Sequence, residues 1–504
     1  MKRLLLLLLF VVVSDALSAT YYVRKTGNDG TGDGSTGNPW LTVDKGISML
    51  SAGDILMIGD GTYAENSGSG YLAISRSFAS YVTIQSESQD PTKVVILNVS
   101  GNYGTVNTGE ANYYRWNDIT FSSTASAANA PLAMINPLNH WEFNRCVVTP
   151  GGVVPLYSVW IKGNSGVIQN LAFNNCTINY GGYTYHQAVN IIDAGSGNTT
   201  AITFNDCTIT GTRRGVMFDG TSGTITFNRC AITAKTEHAI FCADTIANVT
   251  LTDCDVTGGT GGSGQALSFN GATNITVTGG TYRNSDANTV VQFGYDGPSG
   301  GLATTGTIKD VTIVKPLTAS GHALMLGNGI TSFTADGIIV NSCYDYAVVV
   351  KCNSGVTVKN SRLFAGQAKT PAAAIYVKGA TGATIQYNSL FAVDSGYCFQ
   401  LLNEETTTRR SLNTTFTNNL MAALGNSAIY NIGGTAHDSG GTTVNYNIID
   451  ISRSTGKIGS VRTTSSITSL AGLRTAWSGY SVTGNDALST TFLYKSAFLF
   501  FHRQ

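Results

Sequence analysis

Charge is scarce in this sequence and evenly divided. Only 12% of residues are charged, and 30 Lys and Arg balance 30 Asp and Glu. That balance leaves no global field to draw in nucleic acid, anionic lipid or an acidic polymer, so electrostatic preference has to be local. Proline is equally rare, at 9 residues against 58 glycines. Many glycine turns with few charges exclude an assembly of amphipathic helices. Long apolar runs are missing as well, apart from Leu4 to Val13 near the start. That run is shorter than the ~20 residues a spanning helix needs. With Lys2 and Arg3 before it and Ala16, Ser18 and Ala19 after it, it has the three parts of a secretory signal peptide. Residues 1–19 are therefore expected to be removed, leaving an extracellular chain with no membrane span.

What is abundant is repetition. A corner motif recurs as Phe143-Asn-Arg-Cys146, Phe173-Asn-Asn-Cys176, Phe204-Asn-Asp-Cys207 and Phe227-Asn-Arg-Cys230, with Leu251-Thr-Asp-Cys254 as a weaker copy, at intervals of 30, 31, 23 and 24 residues. Alternating apolar residues on both sides of each motif mean strands, and the two residues between Phe and Cys mean a tight bend. Asn at the bend suits the left-handed conformation and can hydrogen-bond its counterpart in the next coil. A further strand opens on a small residue in each repeat, as in Ala188-Val-Asn-Ile191, Gly215-Val-Met-Phe218, Ala239-Ile-Phe-Cys242 and Ala347-Val-Val-Val350. Three short strands per coil predict an all-β, right-handed parallel β-helix, a solenoid whose core grows by adding repeats. A dozen coils at about 4.8 Å each would make a rod on the order of 60 Å long.

The boundaries follow. Residues 20–80 form the N-terminal cap and first coils, with a short helix over Val43 to Leu50 and a first strand at Asp54 to Ile58. Residues 81–450 carry the coils. Residues 451–504 close the stack, with a second short helix over Ser469 to Trp477. Cys146, Cys176, Cys207, Cys230 and Cys254 fall at one inward position, which predicts a stack of buried thiols. Cys343 and Cys352 are the pair best placed for a disulfide.

The stretches Tyr21-Tyr-Val-Arg-Lys-Thr-Gly-Asn-Asp-Gly30, Asn38-Pro-Trp-Leu-Thr42, Ala52-Gly-Asp-Ile-Leu56 and Asp60-Gly-Thr-Tyr63 resemble the opening of secreted right-handed β-helix proteins of the pectate-lyase-like superfamily. Ser469 to Trp477, with Asn485-Asp486, is similar to their closing segment. The resemblance implies this fold and an extracellular polysaccharide partner, with calcium as a possible metal. It does not choose among lyases, glycosidases, epimerases and adhesins. The paired aspartates and Gly-His-Gly element of polygalacturonases are missing, as is the Asp-Pro-His element of alginate epimerases.

Aligning the strands that open on a small residue brings chemistry together. The two preceding positions hold His186-Gln187, Arg213-Arg214, Glu237-His238, Gly264-Gln265, Gly321-His322 and Asp345-Tyr346. His186, Arg213, Arg214, Glu237 and His238 would then lie on three adjacent coils, with Lys235, Tyr183 and Tyr185 beside them and Asn190 and Asp219 further along the strands. β-Elimination from a uronate needs a cation on the carboxylate, a base for the adjacent C–H and an acid for the leaving oxygen. Arg213 and Arg214 suit the first role. Lys235, His238 or His186 suit the second, and Tyr185 the third. A glycoside hydrolase would need two carboxyl groups, for which Glu237 and Asp219 are the available pair. In the plainer reading Arg213 and Glu237 are an inter-coil ion pair, and the rod is a monomeric, non-catalytic glycan-binding or adhesive surface. Thr-x-Thr stretches such as Thr224-Ile-Thr226 favour that alternative and also leave ice binding open.

Overall fold

The structure is a computed structural model describing residues 18–488, apart from 66–70, 101, 126–128, 152–155, 164–165, 181–185, 193–200, 243, 298–300, 353–354, 365–371, 394–395, 403–410, 433–440, 455–457, 462–463, 479–481 and 485–486. The charged and apolar segment Lys2 to Val13, Tyr183, Tyr185 and the aromatic stretch Phe492 to Phe501 lie outside the described residues.

Within one coil the chain runs through Ile202–Asn205, bends, continues as Thr208–Gly211, turns again and enters Arg214–Asp219. These three strands belong to a first, second and third sheet of 17, 16 and 16 strands. Nearly every pairing is parallel and in register, as in Phe143↔Phe173↔Phe204↔Phe227. The result is a right-handed parallel β-helix, with the handedness that parallel crossovers adopt. Sixteen strands at about 4.8 Å give a rod of about 70 Å.

Alternation sets the interior. In Ile225-Thr-Phe-Asn228 the first and third residues are buried and the second and fourth half-buried. The four phenylalanines stack with centroids 4.9 Å apart and planes within 9°, an offset packing set directly by the coil repeat.

The tight bend resolves into three columns with separate tasks. Asn117, Asn144, Asn174, Asn205 and Asn228 end their strands and form a ladder, in which the amides of the last four each donate to the Oδ1 of the previous coil at 2.8 Å. The left-handed residue is the next one, Arg145, Asn175, Asp206, Arg229 or Asp253, with φ between 51 and 54°. The expectation that the ladder asparagine itself turns the corner is thus corrected. Its side chain has to lie along the sheet to reach its neighbour, and the following residue takes the strained dihedral. Arg145 with Asp118 and Arg229 with Asp206 then pair across coils at 2.7 Å.

The third column points inward. Cys146, Cys176, Cys207, Cys230 and Cys254 fill it as buried free thiols. Farther along, Ser361, Asn388, Asn419 and Asn447 take the same place at 1–2% exposure. Asn419 Oδ1 accepts from the backbone N–H and the amide of Asn388, both at 3.0 Å, and its own amide donates to Ile385 O at 3.1 Å. Cys343 and Cys352 form no disulfide, contrary to the pairing considered above. They flank opposite ends of the strand Tyr346–Val350, which holds them apart.

Both caps exist. The helix Val43–Met49 is capped by Thr42, whose hydroxyl accepts from Lys45 N at 3.2 Å. Buried Glu65 accepts from the N–H groups of Val43 and Asp44 at 2.8 and 3.1 Å, satisfying donors no helix can pair internally. The strand at Ile55–Ile58 is not the first: Thr20–Val23 precedes and pairs with it. At the other end an antiparallel pairing of Gly459–Val461 with Thr464–Ile467 precedes the helix Leu470–Ser478.

The outer face of the first sheet is a column of threonines, 203, 226, 250, 276, 307, 334, 357, 384, 415, 443 and 483, in unbroken register. β-Branched residues suit such a half-exposed pleat.

Asn419→Ala should lower unfolding free energy by about 1–3 kcal/mol for each buried group it orphans. Asn205→Ala, in the half-buried outer ladder where water can substitute, should cost less than about 1 kcal/mol. Denaturant midpoints of the two variants check this, and equal losses would contradict the division of roles.

Candidate functional site

The third sheet departs from simple alternation at its start. Two consecutive residues turn inward in each coil, a small one and an aliphatic one, as in Ala188-Val189, Gly215-Val216 and Ala239-Ile240. Gly215 is confined there, since a Cβ would come within 2.7 Å of Ala239 O. The residue before each pair is thereby released to the outer face, and the residue after it points outward as well.

Two outward columns result. Tyr157, Gln187 and Arg214 are in register. His238 and Gln265 continue that line, each two residues ahead of Ile240 and Leu267, which pair with Val216 and with one another. Alongside runs Trp160, Asn190, Met217, Phe241, Ser268, Gln292 and Met325.

The cluster foreseen in the sequence sits mid-face. Backbone bonds thread it: Arg213 N donates to His186 O at 3.0 Å, and Glu237 N to Arg213 O at 2.9 Å. Arg213 Nε meets Glu237 Oε1 at 2.9 Å, and Arg214 Nε meets Oε2 at 3.0 Å. One carboxylate therefore holds two guanidinium groups, and the trio keeps a net positive charge. Arg214 lies over the Phe241 ring at 4.1 Å, and His238 stacks on the same residue at 4.7 Å and 11°. Burial would raise the Glu237 carboxyl, but the Arg213 hydrogen bond and both guanidinium charges outweigh it and hold it below its ordinary range. Burial, then the charge of Arg214, push His238 down to about 4. Its imidazole is neutral at physiological pH, able to accept a proton and not to donate one.

The remaining foreseen residues are more dispersed. His186 packs on Tyr180 at 5.1 Å, and burial lowers its pKa. Asn190 donates to Gln187 Oε1 at 3.0 Å, and Gln187 stands in register with Tyr157. Lys235 is exposed at the corner. Asp219 is exposed at the far end of the strand Arg214–Asp219, about 16 Å from Arg214. Glu237 and Asp219 are therefore not brought together as a carboxyl pair. Among the described residues no group of three His, Cys, Asp or Glu side chains is placed to hold a metal, so the calcium implied by the resemblance finds no ligand cluster there.

Aromatic patches flank this section and had no counterpart in the sequence reading. Toward the N-terminus Val106, Ala130 and Ala133 pack with Tyr71, Tyr103, Ile135, Tyr157 and Trp160, bordering an open depression of about 480 Å³. Toward the C-terminus Met325, Val349, Ala373 and Tyr376 pack with Tyr346, Tyr397 and Leu402. His322 lies beside Tyr346 at 5.1 Å, its Nδ1 4.0 Å from Asp345. Both clusters are separate from the interior core. Register was the missing signal, because these residues are distant in sequence and align only once coils are stacked.

No family model matches the chain and no curated protein matches it. Solved structures similar to it include pectate lyase Pel9A, at 12% identity and TM-score 0.38, covering 68% of this chain and 78% of that one. A lacto-N-biosidase from Eubacterium ramulus gives 11% and 0.26, over 93% and 67%. A rhamnogalacturonan lyase gives 13% and 0.25, over 88% of each. At these values the likeness assigns no activity to this chain.

The neutral buried imidazole generates a pH prediction. His238 is depressed in the folded state, so the unfolded chain binds its proton first. Its contribution to stability is complete above about 6.5 and is lost as pH falls toward 4. His238→Gln should flatten the stability profile across that window, and an unchanged slope would contradict the burial described.

Proposed function

We propose that the outer face of the third sheet binds an extracellular polysaccharide lengthwise and that its middle section cleaves a uronate-containing chain by β-elimination. The observation that carries this is the face itself: two aromatic patches outside the hydrophobic core, with a cationic and amide-lined section between them. Polysaccharide sites need ring-sized apolar contact together with a few convergent polar groups.

In this reading Arg213, which spends only its Nε on Glu237, offers its terminal N–H groups to the uronate carboxylate, and Arg214 adds charge from beneath. Neutralising that carboxylate acidifies the adjacent C–H. Neutral His238 takes the proton, with His186 and Lys235 as the other candidate bases. The C–H electrons form the new double bond as the glycosidic C–O bond breaks, and Tyr185 protonates the departing oxygen. Half-exposed Tyr157, in register with the buried amide of Gln187, offers its ring and hydroxyl to a neighbouring sugar. A hydrolase built on Glu237 and Asp219 is disfavoured, since Glu237 is ion-paired at the Arg214 end of the strand and Asp219 is exposed at its far end, whereas such pairs need ~5–9.5 Å. The protein acts outside the cell as a monomer, with no nucleic-acid partner.

A second reading has its own support. The threonine column is flat and free of charged members, which suits a non-catalytic glycan-binding or adhesive rod.

Purified protein incubated with pectate, alginate and glycosaminoglycan polymers, with and without calcium, separates the two. The lyase reading expects rising ultraviolet absorbance from the unsaturated uronate. It also expects at least a 100-fold loss in Arg213→Ala and His238→Ala, the scale of general-base contributions. Silence from the wild type on every polymer would favour the binding rod.

A further inference from the structure

We propose that the depression at the N-terminal end of this face is a separate subsite for an uncharged sugar ring, so that the bound polymer carries neutral as well as acidic residues. The inference rests on the reading that the third-sheet face binds polysaccharide, and it does not depend on cleavage. The depression is lined by Tyr71, Tyr103, Val106 and Ile135, with Asn102, Thr108 and Asn136 at its polar rim. Among the described residues no lining side chain is charged. At about 480 Å³ it lies within the range of small-ligand sites. Apolar ring faces joined to amide and hydroxyl groups match a pyranose, which is apolar on its C–H faces and polar at its edge. The same described lining offers a carboxylate or sulfate no cationic partner.

The aromatic surface continues beyond it. Trp160 lies 5.7 Å from Tyr103 and 5.7 Å from Tyr157, inclined by 32° and 34°. The indole N–H of Trp160 is buried and has no acceptor among the described residues. From Tyr157 the same column runs through Gln187 to Arg214. Tyr103 and Arg214 stand four coils apart, about 19 Å. A single chain lying along the rod therefore meets the uncharged site and the cationic site at different residues. Lys162, whose ammonium lies 5.3 Å from the centre of the Trp160 ring, ends its strand on the opposite edge of the face and takes no part in the lining.

Trp160 supplies the test. Trp40, Trp116 and Trp141 are sealed in the interior at 0–2% exposure, and the fifth tryptophan, Trp477, belongs to the C-terminal helix, so in a Trp477→Phe background a ligand-dependent emission change reports on Trp160. Cellotetraose, mannotetraose and galactotetraose are titrated, with tetragalacturonate as the charged control. The proposal expects a saturable change with at least one neutral tetrasaccharide, abolished by Trp160→Phe. It expects at least tenfold weaker binding in Tyr103→Ala and in Thr108→Phe, which fills the mouth without removing a core contact. Arg213→Ala should leave neutral binding within twofold while weakening tetragalacturonate. Absence of any neutral binding, or equal affinity in Thr108→Phe, overturns the proposal. Neutral binding without tetragalacturonate binding or elimination overturns the uronate reading and leaves this subsite standing.

Discussion

In-register stacking at about 4.8 Å is the constraint on which everything else in this molecule depends. Once one coil lies on another, each residue faces its own counterpart, so every column has to tolerate repetition of itself. Phenylalanines do so by offset stacking, thiols by their small size, and asparagines by donating and accepting along the rod. The tight corner shows how strict this is. Its inward column holds cysteine where neighbours are apolar, then asparagine where the backbone of adjacent coils needs partners. A buried polar residue is tolerated there because its ladder leaves neither amide nor carbonyl unmatched.

The same constraint shapes the outer faces. On the first sheet it yields threonine after threonine, half-exposed from Thr203 to Thr250 and from Thr307 to Thr443. The third sheet repeats less, because its paired inward residues release an additional column at the coil corner. Larger and chemically varied side chains collect there: tyrosines at both ends, with arginine, glutamate and histidine between. Neighbouring charges along a column neutralise one another where signs alternate, as Arg213, Glu237 and Arg214 do. The outcome is a mildly cationic centre set in an aromatic track.

Fold was legible in the chain because period-two alternation and the Phe-to-Cys motif repeat openly. The caps were legible too, although Thr20–Val23 escaped notice as the first strand. Part of the site was also visible: aligning Ala188, Gly215 and Ala239 placed Arg213, Glu237 and His238 on adjacent coils, and the ion pairing of Arg213 with Glu237 was one of the readings. Other features needed register. Phe416-Thr-Asn-Asn419 contains two consecutive asparagines, and only stacking shows that Asn419 turns inward to a buried ladder. Tyr103, Trp160, Tyr346 and Tyr376 look like ordinary strand residues until the coils are superposed. Burial of His238 against Phe241, which makes it a neutral acceptor, depends on a contact that no local pattern announces.

Hydroxyl-radical footprinting of the protein with and without bound polysaccharide tests the central claim most directly, because tyrosine, tryptophan and methionine are the side chains it labels best. The account predicts protection of Tyr103, Tyr157, Trp160 and Met217 on the third sheet. Tyr387 and Tyr446, exposed by 57% and 68% at the corner between the first and second sheets, should remain as reactive as in the free protein. Protection of that corner with an unprotected third sheet would contradict it and place the binding surface elsewhere on the rod.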